Sequence, residues 1–81
     1  MSTLVQIYVR LLDEAVDVWR PVQAKFVSGD VFYLVEQEYD RDIESWEFEP
    51  GDHVLCKFIR LSENGEIIFA ATSKVEFSDF D

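Results

Sequence analysis

Short apolar runs that alternate with polar residues predict an all-β fold, a small antiparallel barrel of five or six strands. Two further observations support it. Turn signals separate the runs: Ser28-Gly29-Asp30, Pro50-Gly51-Asp52 and Asn64-Gly65. No segment sustains a helical period of 3.6; residues 43–48 form one turn at most. An open antiparallel sheet completed by dimerisation is the alternative.

The first run covers residues 4–12. Val5, Ile7, Val9 and Leu11 share one face, and Gln6, Tyr8 and Arg10 share the other. An acidic loop, residues 13–17, interrupts it. The second run, residues 18–27, points Val18, Val22, Ala24 and Phe26 inward and Gln23 and Lys25 outward. Pro21 cannot donate a ladder hydrogen bond, so it marks an edge or a bulge. A short turn at residues 28–30 leads to a third run, residues 31–35, apolar on both faces, with Gln37 as an extension.

The next stretch, residues 36–52, is the least regular. At its end Trp46 and Phe48 alternate with Glu47 and Glu49, as in a short strand laying two aromatics on the core. Pro50 and Gly51 suit the central positions of a type II turn. The fourth run, residues 53–61, faces Val54, Cys56 and Phe58 inward. After the Asn64-Gly65 hairpin signal, the fifth run, residues 66–75, faces Ile67, Phe69, Ala71 and Val75 inward. The expected interior is Val5, Ile7, Val9, Val22, Phe26, Trp46, Val54, Phe58, Ile67 and Phe69. Short strands with a long loop at residues 13–17 fit an SH3-like barrel best. Residues 1–75 make one domain, and residues 76–81 an acidic tail that frays.

Composition sets the limits on function. The chain has 81 residues, 48% of them hydrophobic and 15% aromatic, enough for a thin core without disulfide staples. Its one cysteine, Cys56, forms no intramolecular disulfide. Met1-Ser2-Thr3 leads into Leu4 without a basic leader, and no apolar run reaches membrane-spanning length, so a cytoplasmic location is expected. A formal net charge of −10 argues against direct binding to nucleic acid or anionic membranes and favours a basic protein partner.

Two blocks resemble those of a group of small bacterial proteins. One is Val9-Arg10-Leu11-Leu12-Asp13-Glu14-Ala15-Val16-Asp17-Val18-Trp19-Arg20-Pro21-Val22. The other is Trp46-Glu47-Phe48-Glu49-Pro50-Gly51-Asp52-His53-Val54. The resemblance implies a compact β-domain and brings no assigned activity. Members often have Gly where Ala15 stands.

Nothing in the sequence points to catalysis, a metal or a cofactor. His53 and Cys56 sit three apart on a strand, on opposite faces, so they make no nucleophile–base pair. Cys56 reads as an inert core residue and His53 as a solvated one. Asp40-Arg41-Asp42-Ile43-Glu44 lacks the glycine and the ligand count of a calcium loop. Paired carboxylates are many, but acid–base work needs an enclosed pocket that a small packed barrel lacks. An enzyme is therefore not expected.

Two regions are candidate partner surfaces. Trp19 and Arg20 lie in the densest polar–aromatic cluster, with Asp13, Glu14 and Asp17. Trp and Arg are favoured hot-spot residues. The bland alternative pairs Arg20 with Asp13 or Asp17 and uses Trp19 to cap the barrel. Glu36, Glu38, Asp40, Asp42 and Glu44 recur at every second position, and Glu47, Glu49 and Asp52 continue the acidic stretch. If extended, the first five share one face about 6.6 Å apart. They form either a solvated loop or a negative surface for a basic partner. The expected function is a non-catalytic protein-interaction module, monomeric or homodimeric. One alternative is an inhibitor or immunity-type protein whose acidic surface imitates nucleic acid. A weaker one is an SH3-like peptide binder with a groove on Tyr8, Trp19 or Tyr39.

Overall fold

The chain is all-β in a computed structural model, which describes residues 3–76. Five strands form a closed barrel in meander order, consistent with a small SH3-like barrel. They are β1 (Leu4–Arg10), β2 (Trp19–Ser28), β3 (Val31–Leu34), β4 (His53–Arg60) and β5 (Ile67–Val75). The expected tail lies outside the described residues beyond Glu76.

Neighbours in sequence pair antiparallel. With an odd number of strands the closing pair must then be parallel, and β1 meets β5 in parallel at Tyr8↔Ala70. The alternation in β1 places Ile7, Val9 and Leu11 in the core, beside Val22 and Ala24 of β2, Phe32 and Leu34 of β3, and Val54 and Cys56 of β4.

Pro21 sits in β2 opposite Tyr8. The backbone N–H of Gln23 is bonded by Gln37 on the β3 side, so the nitrogen of Pro21, two residues earlier, faces that side too. Paired strand β3 begins only at Ala24↔Leu34, so the missing donor costs no ladder bond. Gln37 does extend β3, but through its side chain. Its amide accepts from Gln23 N–H and donates to the Gln23 carbonyl, both at 3.0 Å, in place of a strand residue.

The turns carry the expected chemistry. Gly29, Gly51 and Gly65 all have positive φ, and the Asp52 N–H donates to the Glu49 carbonyl across the Pro50-Gly51 turn. The β4–β5 loop is longer than a two-residue Asn-Gly hairpin. Leu61 N–H donates to Glu66 C=O, and Gly65 takes the left-handed position inside the loop.

Three expected core residues are on the surface: Phe26 is 60% exposed, Phe58 74% and Ile67 54%. Their strands outlast the core. Val54 and Cys56 are buried at the first half of β4, and Phe58 continues the same face past the end of the barrel interior. Phe69 and Val5 are half-buried at its margin. A bulge in the β4–β5 ladder, where Leu55 pairs with Ser73 but Cys56 with Ala71, shifts the phase of β5. Val75 is accordingly half-buried. Ile68 and Ala70, on the other face from Phe69, are buried and lie outside the main core cluster.

These positions separate the energetic roles of two large residues. Ile7→Ala is expected to cost about 2–5 kcal/mol in denaturant melts, and Phe58→Ala less than about 1 kcal/mol. A large loss for Phe58→Ala would return that ring to the interior.

Candidate functional site

Residues 35–52 do not form a free acidic strip. Trp46 pairs with Leu11, Leu12 N–H donates to Ser45 C=O at 2.7 Å, and Glu47 N–H donates to Arg10 C=O at 2.9 Å. This short bridge sets Trp46 and Phe48 into the core, as the alternation with Glu47 and Glu49 predicted. At the other end Leu34 N–H donates to Asp52 C=O, and Gly51 N–H to Leu34 C=O.

The expected row of carboxylates on one extended face is broken in the middle. Residues 40–44 turn back on themselves: Ile43 and Glu44 N–H both donate to the Asp40 carbonyl, and the Asp40 carboxylate accepts from Asp42 N–H at 2.9 Å. Such a side-chain to backbone bond stabilises turn over strand.

Three further carboxylates hold the segment itself. Glu44 accepts from the Trp46 indole N–H at 2.9 Å and stands 3.5 Å from the Arg20 guanidinium. Glu49 accepts from the Tyr39 hydroxyl at 2.7 Å and pairs with Arg41. Asp52 accepts from Glu49 N–H and lies 3.6 Å from Lys74. The Tyr39 ring stacks on Trp46 at 3.9 Å, and the Arg41 guanidinium lies 4.7 Å from the Tyr39 ring centre. Burial, with help from Glu49, pushes the Tyr39 pKa up. The bond to Glu49 raises that of Arg41. Glu36, Glu38, Asp42 and Glu47 remain exposed on the surface.

Arg20 therefore reaches across to Glu44, not to Asp13 or Asp17. Trp19 is half-buried and walls a cleft of about 460 Å³ with Ala15, Val16, Asp17, Ile59, Arg60, Leu61, Ser62 and Glu63. Two loops shape it. The 12–17 loop is closed by Leu11 N–H donating to Val18 C=O and turns through Asp13 in the left-handed region. The β4–β5 loop supplies the opposite wall. The cleft was legible only on its Trp19 side, because nothing in the periodicity brings residues 59–63 to it.

The aromatics that escaped the core form a second feature. Phe26, Phe32, Phe69 and Phe58 make a file of edge and tilted contacts with centroids 5.7, 5.3 and 4.7 Å apart. Phe32 is buried, and the two ends of the file are exposed.

His53 is half-buried, its ring 5.0 Å from that of Tyr33, so it is not simply solvated. Cys56 is buried, and burial pushes its thiol pKa up to about 11. Among the described residues no group of three or more His, Cys, Asp or Glu could hold a metal ion. No helix among them is long and apolar enough to cross a membrane. No protein-family profile, curated protein or solved structure matches the chain.

The thiol gives a pH-dependent test. Its pKa in the fold, about 11, lies above the ordinary value of 9.0. The unfolded chain then loses this proton first, so stability is full below pH 9.0 and falls as pH rises towards about 11. Denaturant melts of Cys56→Ala should lose less stability over that window than the wild type. A thiol reagent should label native Cys56 slowly at pH 8 and quickly in urea. Fast native labelling would mean the thiol is accessible.

Proposed function

We propose that the chain is a non-catalytic, cytoplasmic protein-interaction module that takes its partner at the Trp19 cleft. The observation that carries this reading is the cleft's lining. Val16, Trp19, Ile59 and Leu61 offer apolar walls, and Asp17, Arg60 and Glu63 offer charges at the same place. A half-buried Trp held by two strands is a preorganised anchor of the kind that dominates binding energies. The net charge of −10 speeds encounter with a basic protein and disfavours nucleic acid and anionic membranes as direct ligands.

A second reading is an inhibitor or immunity-type protein whose carboxylates stand in for a nucleic-acid backbone. It rests on Glu36, Glu38, Asp42 and Glu47, whose side chains stay exposed and outside the hydrogen bonds of their segment. Arg20, Asp40, Glu44 and Glu49 serve the fold in either reading.

Two variants separate the readings in a pull-down from lysate at low and high salt. Trp19→Ala removes the anchor. Glu36→Gln, Glu38→Gln, Asp42→Asn and Glu47→Gln together remove four charges and spare the bonds of Asp40, Glu44 and Glu49. The module reading expects Trp19→Ala to lose the partners and the amide variant to keep them with a weaker salt dependence. The reverse pattern selects the acidic surface, and unchanged capture by both variants rejects both sites.

A further inference from the structure

We propose that the outer edge of β4, from Lys57 to Arg60, is a second binding surface that accepts an extended peptide segment as an added strand. The occupant is an apolar stretch flanked by Lys or Arg, supplied by another protein.

The hydrogen-bond phase of β4 fixes the edge. Leu61 N–H donates to Glu66 C=O, so Leu61 faces β5. Backbone groups alternate sides along a strand, so Ile59 also faces β5, and Phe58 and Arg60 face away from it. Cys56 confirms the phase, because its N–H donates to the Asp30 carbonyl on the β3 side at 2.9 Å. Strand β3 runs beside β4 only from Tyr33↔His53 as far as Val31↔Leu55, and the chain turns away at Asp30. Beyond that point no strand among the described residues pairs with β4 on the side away from β5. Phe58 and Arg60 therefore present their N–H and C=O groups along a bare edge about 13 Å long.

Protein edges of this kind are usually blunted, and this chain blunts another one. On β2 the part that outruns β3 carries Pro21, which has no N–H to offer. The bare part of β4 carries no proline. It lies instead beside exposed aromatic surface, with Phe58 74% exposed and Phe26 60% exposed at the two ends of the phenylalanine file. Donors, acceptors and apolar surface at one place are what strand addition uses.

Charge selects the occupant. Asp30 stands at one end of the edge, and the loop that ends it carries Glu63 and Glu66. Lys57 lies on the opposite face from Phe58 by strand alternation, and Arg60 donates back to the Gly65 carbonyl. An apolar centre with carboxylates at both ends suits a segment with cationic ends, as does a chain of net charge −10. The same charge opposes a second copy, and so short an edge falls far below the roughly 1,200 Å² of a stable dimer interface. This surface shares Arg60 and Glu63 with the rim of the Trp19 cleft, but its apolar part lies elsewhere. Ile59 lines the cleft and pairs with Ile68, whereas Phe58 pairs with Phe69 on the other face of the hairpin.

The probe is a blocked heptapeptide of alternating Val and Thr with Lys at both ends, followed by amide hydrogen exchange and NMR shifts. In the free protein the amides of Phe58 and Arg60 should exchange fast, and those of Ile59 and Leu61 slowly. The peptide should protect Phe58 and Arg60. Its counterpart with Glu ends, and one N-methylated at alternate residues, should bind about tenfold more weakly or worse. Arg60→Pro removes an edge donor and leaves the β5 ladder intact, so it should keep its Ile59 and Leu61 protection and lose the peptide. Trp19→Ala should keep it. Three results would overturn the proposal: Phe58 and Arg60 amides already slow in the free protein, including slowing with concentration as in a dimer; no protection on adding peptide; or equal binding by the N-methylated peptide.

Discussion

Burial of Trp46 organises everything outside the strands. The indole is 4% exposed, and no strand of the barrel carries it. It reaches the core because the chain around it is tied to β1 and its exit at Arg10, Leu11 and Leu12. Truncating a buried aromatic of this kind typically costs about 3–5 kcal/mol, several times what any single surface ion pair contributes. The indole N–H must be satisfied once buried, and Glu44 satisfies it. Glu44 then draws in Arg20, and the Tyr39 ring covers the indole and brings Glu49 and Arg41 with it.

That chain of dependence changes the meaning of the acidic residues. A carboxylate that accepts hydrogen bonds from a buried indole or a half-buried phenol is a structural group, and its charge is partly offset by Arg20 or Arg41. The charges left for a partner are fewer than the composition suggests. They act over distance, on encounter rate and salt dependence, more than through fixed contacts. Shape is left to the clefts and edges that the strands create, and the β4–β5 hairpin supplies both: the Trp19 cleft lies along one face and the phenylalanine file along the other.

Much of the barrel was legible because its signals are local. Alternation in β1, the glycines at positive φ and the paired aromatics Trp46 and Phe48 each depend on a few adjacent residues. Alternation reports which face a residue takes, and it is silent on how far along the strand the core extends. Phe26 and Phe58 lie on the expected faces and still project past the packed interior. The bulge near Thr72 is a tertiary feature, so the change of face at Val75 had no sequence signature, and neither did the burial of Ile68 and Ala70 on the face opposite Phe69. The same holds for the site. Trp19 was recognisable by type and company. Its partners across the cleft, and the pairing of Arg20 with Glu44, depend on long-range contacts that no spacing encodes.

Residues 35–52 are an integral part of the folded barrel. Native-state hydrogen exchange at the amides of Leu12, Leu34, Glu47 and Gly51 tests this most directly, since each donates to a backbone carbonyl that ties this segment to the strands or their ends. If the segment is integral, these amides exchange only through global unfolding, with the same denaturant dependence as Ile7 and Val9 in the core. Rapid, denaturant-independent exchange at Leu12 and Glu47, with Ile7 and Val9 still protected, would contradict it and make the acidic segment a loop that opens on its own.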